Sequence, residues 1–268
     1  MILAVVIPLH DRNPVSRVPW VTYGLIAANV VVFLLSPLAV VGEPSARQET
    51  TQDTYLYHYG VVPTLLLNGH TNPFWPVLTG MFVHAGWMHL FGNMLFLYIF
   101  GNNVEDRLGR IHFLAFYLIG GFAATYAFAF ANPASDGPLV GASGAIAAVL
   151  GAYAYLYPQA KITLLVPFLF FLPLRVPAWL VLGFWFILQL PQFQLALGSA
   201  SASDVAYFAH VTGFSLGLLY MAVLFGRGGS AGGTANPLMR PVTPTALAPD
   251  FRNADPNNPY GTATASRI

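Results

Sequence analysis

Long apolar blocks are what most restrict this chain. A membrane-spanning helix needs roughly 20 apolar residues, because it rises about 1.5 Å per residue through a hydrocarbon core about 30 Å thick. Six blocks meet or approach that length: about Trp20 to Val41, Pro76 to Phe100, Ile111 to Ala131, Gly141 to Tyr157, Pro177 to Phe193, and Asp204 to Phe225. Backbone polar groups in lipid must be satisfied within the protein, and these lengths suit helices rather than barrel strands. Charged residues make up 8% of the 268, against about 25% in soluble domains. The expected fold class is an all-α membrane protein with a bundle of six transmembrane helices.

A seventh apolar stretch, Ile162 to Leu174, is short and broken by Pro167 and Pro173; it reads as an interfacial segment or re-entrant turn. With six spans, Arg12, Arg17, Arg107, Arg110, Lys161, Arg175, Arg227, Arg240, Arg252 and Arg267 share one side and Arg47 lies on the other. Basic loops favour the cytoplasm, so both termini are expected there and residues 42–75 form an external loop. The expected organisation is a cytoplasmic segment (1–19), a six-helix membrane domain (20–225) and a disordered cytoplasmic tail (226–268) rich in Gly, Pro, Ala, Asn and Thr. Met1 to Leu9 lacks the basic leader and cleavage site of a signal peptide. The net charge of +1 argues against a nucleic-acid partner, and the absence of cysteine excludes disulfides, a thiol nucleophile and thiolate-bound metal.

Polar side chains inside spans are costly and are candidates for function. His89 and Asn93 lie in the outer half of the second block, and Ser143 lies just below the outer end of the fourth. His210 sits about 9 Å down the sixth, at about 1.5 Å per residue. Three blocks thus bring polar groups to a similar depth. Ser143 follows Gly141 and Ala142 and precedes Gly144, at a helix start whose free N–H groups suit a developing oxyanion. The plain alternative is a helix-packing serine. The imidazole of His210 suits a general base; alternatively it bonds a backbone carbonyl. Ala209, Gly213 and Gly217 recur on one helix face, as do Gly144, Ala148 and Ala152, and such faces permit close helix contact. His89 and Asn93 share a face and could both donate to an oxyanion, while Asn93 could equally serve as interhelical glue. His84, five residues before His89, falls off that face. Its spacing from His89 is not that of a helical zinc pair, and no metal site is expected.

The order His84-Ala-Gly-Trp-Met-His89-Leu-Phe-Gly-Asn93, Gly101 to Glu105 with Arg107 and Gly109, Gly141-Ala-Ser143-Gly144-Ala-Ile146, and Ala209-His210-Val-Thr-Gly213 with Gly217 resembles the rhomboid family of intramembrane serine proteases, in its bacterial-type, six-span form. The resemblance covers about the first 225 residues. It implies a six-helix core and a dyad of Ser143 and His210 without an acidic third member. It also implies an oxyanion hole of His89, Asn93 and the Ser143 backbone N–H, and a structural pair of Glu105 and Arg107. The external loop would be partly membrane-embedded, and the fifth span would be a lateral gate. The expected location is a bacterial inner membrane. One departure is Ala147, where the family often places an aromatic residue packed on the base histidine.

The expected reaction is endoproteolysis of transmembrane protein substrates in the lipid bilayer near its outer face, with no cofactor. A small-solute transporter predicts polar residues spread through both leaflets. A non-catalytic rhomboid-like membrane-protein-binding protein predicts loss of the serine or the histidine. The sequence specifies no oligomeric state.

Overall fold

Proline and serine end the first apolar block early. Helix α1 (Trp20–Leu34) has 15 residues, or about 22 Å. Ser36 Oγ donates to the Phe33 carbonyl at 2.7 Å, and Pro37 disfavours helical geometry at the residue before it. A computed structural model describes residues 7–11, 13, 15–166, 172–198 and 207–226, all within one unit spanning residues 1–233. Met1 to Val6, Arg12, Pro167, Asp204, Arg227, Arg240, Arg252, Arg267 and the tail from residue 227 onward lie outside the described residues. The polar helix α2 (Ala46–Tyr59) and the short α3 (Pro63–Leu67) occupy the segment read as an external loop.

The second block is not one helix. It divides into α4 (Trp75–Gly80) and α5 (Trp87–Leu108). Then come α6 (Arg110–Ala131), α7 (Ser143–Leu156), α8 (Ala178–Gly198) and α9 (Tyr207–Gly226). Among the described residues, α6 and α9 alone are both long and apolar enough to cross a membrane; α1, α7 and the Ala178–Gln189 part of α8 are apolar but shorter. Six full-length spans are therefore not what the described helices provide. The block boundaries included loop residues, and the last turns of α5 carry Glu105, Asp106 and Arg107.

The all-α expectation also needs correction. Strands β1 (Ile7–Asp11), β2 (Lys161–Val166) and β3 (Leu172–Pro177) form an antiparallel sheet in the order β1-β2-β3. Ile162 pairs with Asp11 on one side and Val176 on the other. Pro8, Pro173 and Pro177 fall on the two edge strands, where a missing N–H is tolerated, and the central strand has no proline. The described parts of the short apolar stretch, residues 162–166 and 172–174, thus pair with each other as antiparallel strands.

Polar side chains tie this sheet to the helices. Asp11 Oδ2 accepts from Tyr153 Oη at 2.6 Å and from Asn103 Nδ2 at 2.7 Å. Asn13 Nδ2 donates to Asn103 Oδ1 at 2.8 Å. Burial pushes the Asp11 carboxyl above the usual carboxylate range, with the Tyr153 hydrogen bond pulling the other way.

The core centres on α7, which is buried from Ala145 through Tyr153. A helix apolar on every side belongs inside a bundle. Its tightest neighbour is α9. A Cβ on Gly217 would lie 1.9 Å from the Ala148 carbonyl oxygen, and one on Gly213 would lie 2.3 Å from that of Gly144. Neither position has room for a side chain, so the two small-residue faces read from the sequence do meet.

The pair implied between Glu105 and Arg107 is absent among the described residues. The buried Glu105 carboxylate instead accepts from the N–H groups of Val21 at 3.0 Å and Thr22 at 2.7 Å and from the Thr22 hydroxyl at 2.8 Å. These are orphan donors at the start of α1, where negative charge is favoured. The Arg107 guanidinium lies over the Phe225 ring, 4.8 Å from its centroid.

Candidate active site

Ser143 owes its position to the loop before α7. Val61 and Leu139 exchange backbone hydrogen bonds of 2.9 and 2.7 Å, and the Gly141 N–H donates to the Gly80 carbonyl at 2.8 Å. The chain then turns into α7 through Gly141, whose φ of 117° suits glycine. Ser143 is the first residue of the helix, so its N–H points out of the helix start without an intrahelical partner. The side chain is half-buried.

The break between α4 and α5 shapes the facing wall. His89 lies in the first turn of α5, and its Nδ1 accepts from the Ala85 N–H at 3.4 Å. Its Nε2 lies 2.7 Å from where a Cβ on Gly141 would sit. Asn93 lies one turn on, with Nδ2 3.7 Å from the same point. That nitrogen is buried and has no hydrogen-bond partner among the described residues. Two nitrogens thus converge on the glycine two residues before Ser143.

His84 departs from the sequence reading. It precedes α5 in the non-helical break, so a helical face does not define its direction. It is fully buried and packs edge-on against His89, with ring centroids 5.0 Å apart and an interplanar angle of 63°. Its Nδ1 lies 3.4 Å from the Phe82 carbonyl oxygen.

His210 stands in the first turn of the described α9. The close approach of the two small-residue faces sets it beside the start of α7: the Ala209 Cβ is 3.9 Å from the Cβ position of Gly144. Ser143 and His210 therefore occupy neighbouring positions on facing helices, and among the described residues no hydrogen bond joins them. His210 Nδ1 instead lies 3.2 Å from Gln189 Oε1. The Trp185 ring flanks the imidazole at 5.9 Å and 37°, and Tyr207 approaches it edge-on at 6.4 Å.

Sequence reasoning passed over Gln189 and Trp185. The available signal for Gln189 was an amide inside an otherwise apolar block, which is costly unless partnered. Asp136, in the loop before α7, accepts from the Thr64 hydroxyl at 2.7 Å. No group of three His, Cys, Asp or Glu side chains among the described residues could hold a metal ion.

With this geometry established, comparison with known proteins gives a consistent result. The family model described as Rhomboid domain matches residues 71–227. Rhomboid protein 1, mitochondrial, of Saccharomyces cerevisiae is 32% identical over 148 residues, covering 54% of this chain and 40% of the yeast protein. Presenilin-associated rhomboid-like protein A, mitochondrial, of Danio rerio is 37% identical over 89 residues, covering 32% of this chain and 23% of the fish protein. The Homo sapiens presenilin-associated rhomboid-like protein, mitochondrial, is 29% identical over 144 residues, or 53% of this chain and 34% of the human one. The matches span less than half the length of these relatives. Their names are mitochondrial, and they lend no support to the bacterial inner membrane expected from the sequence.

Proposed function

Because this chain belongs to the rhomboid family, we propose that it is an intramembrane serine endopeptidase that cleaves transmembrane-helix substrates with Ser143 as nucleophile and His210 as base. The observation carrying this reading is the convergence at the start of α7. Ser143 opens the helix, His89 Nε2 and Asn93 Nδ2, which has no partner among the described residues, face Gly141, and α9 brings His210 alongside.

In this mechanism Ser143 Oγ attacks the scissile carbonyl carbon while His210 Nε2 takes the hydroxyl proton. The oxyanion is held by His89, Asn93 and the Ser143 N–H. Collapse of the tetrahedral intermediate breaks the C–N bond, and His210 gives its proton to the leaving amine. Water then attacks the acyl ester, His210 takes a proton from it, and that proton returns to Ser143. A transmembrane helix hides its carbonyls in hydrogen bonds, so substrates carrying Gly or Pro near the cleaved bond are the ones this site reaches. The shorter apolar helices α1, α7 and α8, with the apolar part of α5, complete a six-span core whose two ends lie in the cytoplasm.

The test is labelling of the purified protein in lipid with a fluorophosphonate, followed by mass-spectrometric mapping. Modification at Ser143, lost in His210→Ala, is the expected result. A stable protein that resists labelling and leaves transmembrane substrates intact would be a non-catalytic member of the family, and the proposal would fall.

A further inference from the structure

The hydrogen bonds around Gln189 determine more than its own orientation. Gln189 is 8% exposed and sits in α8, one turn after Trp185. Its Nε2 donates to the Trp185 carbonyl at 3.3 Å. A carbonyl oxygen can only accept, so this contact assigns the NH₂ end of the amide to Trp185 and leaves Oε1 as the atom facing His210. Oε1 also can only accept. His210 Nδ1, 3.2 Å away, must therefore carry the proton. In a neutral imidazole one nitrogen donates and the other accepts, so Nε2 is left with its lone pair free.

From this chain of donors and acceptors we infer that Gln189 is a positioning residue for His210, holding the imidazole in the tautomer whose Nε2 can take a proton from Ser143. The inference rests on the serine-protease reading of the site. It supplies the orienting partner which a dyad without a carboxylate otherwise lacks.

The surroundings of the ring fit this role. Ala147, four residues after Ser143, is buried, and its Cβ lies 3.1 Å from the Cβ position of Gly213. It offers no ring to the histidine. The aromatic neighbours come from elsewhere: Trp185 on α8 and Tyr207 on α9 itself. Trp185 also packs on Phe214 at 5.9 Å, which anchors that stretch of α8 to the helix bearing His210. One turn of α8 thus supplies both a flat neighbour for the imidazole and an acceptor for its Nδ1–H. Among the described residues, His89 on α5 and Tyr207 on α9 are the titratable side chains that interact with His210, and neither brings a fixed negative charge to it.

Three full-length proteins in lipid test the assignment: wild type, Gln189→Met and Gln189→Glu. Methionine keeps the length and removes the acceptor. It should lower kcat and the fluorophosphonate labelling rate about tenfold, the size of one neutral hydrogen bond, with KM and Tm close to wild type. Glutamate restores an acceptor and adds charge. It should recover most of the turnover and move the acid limb of the kcat/KM profile to higher pH, because a carboxylate favours the imidazolium. Nitrogen-15 NMR of labelled histidine supplies a readout independent of turnover: His210 should be protonated at Nδ1 in wild type and a mixture of tautomers in Gln189→Met. Wild-type protein that never labels at Ser143 would refute the protease reading. Normal labelling of wild type with unchanged labelling, pH profile and His210 tautomer in Gln189→Met would refute the role of Gln189 alone. A loss in Gln189→Met that merely follows a fall in Tm, without rescue by Gln189→Glu, would also refute it.

Discussion

His89 Nε2 lies 2.7 Å from the point where Gly141 would carry a Cβ. Gly141 is held at a φ of 117° that other residues rarely adopt. Gly141→Ala therefore meets two obstacles, backbone strain of about 1–3 kcal/mol and a collision with the imidazole. The expected outcome is a Tm lowered by several degrees and kcat lowered well beyond what the folded fraction explains, because His89 must move. Steady-state kinetics per folded molecule checks it; an unchanged kcat would remove Gly141 from the site.

His89→Ala and Asn93→Ala should each reduce kcat by about a hundred- to thousand-fold, the cost of losing one oxyanion donor, with little change in KM. The buried edge-on contact between His84 and His89 adds a third member. His84→Ala should lower kcat through displacement of the His89 ring, and its effect should largely vanish in a His89→Ala background. Additive losses in the double mutant would make His84 an independent packing residue.

Glu105 and Arg107 should behave as unrelated residues. Glu105→Ala leaves the Val21 and Thr22 N–H groups without their acceptor, a cost of about 1–3 kcal/mol. Glu105→Gln keeps one acceptor oxygen and should lose less. Arg107→Ala gives up one cation–π contact at a half-buried site, about 1 kcal/mol. Thermal unfolding in a single detergent ranks the three, and equal losses from Glu105→Ala and Arg107→Ala would point to an ion pair instead.

Asp11 ties stability to pH. Its carboxyl is raised by burial, so the neutral form is the one that the folded protein favours. The stabilisation from protonation is complete below the unfolded value of about 3.9 and is lost as pH rises through the folded value. Asp11→Asn stays neutral at every pH, and its Oδ1 can accept from Tyr153 and Asn103. Its Tm advantage over wild type should be largest near neutral pH and shrink on acidification. Asp11→Ala should be less stable than wild type, since it orphans the Tyr153 hydroxyl. A pH-independent difference between the Asn variant and wild type would contradict this account.

Much of this was readable from the chain alone, and the reason is locality. Apolar blocks, small residues recurring along one helix face and the order of the serine and histidine motifs are properties of near neighbours, and they sufficed to point to the family. They also located the faces through which α7 and α9 meet, because a small residue, Gly or Ala, at every turn of one face lets two helices approach closely. Tertiary structure decided what depends on distant partners. Glu105 took the start of α1, more than eighty residues away in sequence, because the orphan N–H donors of that helix start favour a carboxylate. The run from Lys161 became a strand because β1 and β3 were there to pair with it. His84 left the helical register once the chain broke after Gly80. Gln189 reached His210 because α8 packs beside α9. Periodicity reports which face of an element is buried, but a hydrogen-bond partner is chosen by what the rest of the chain delivers to that face.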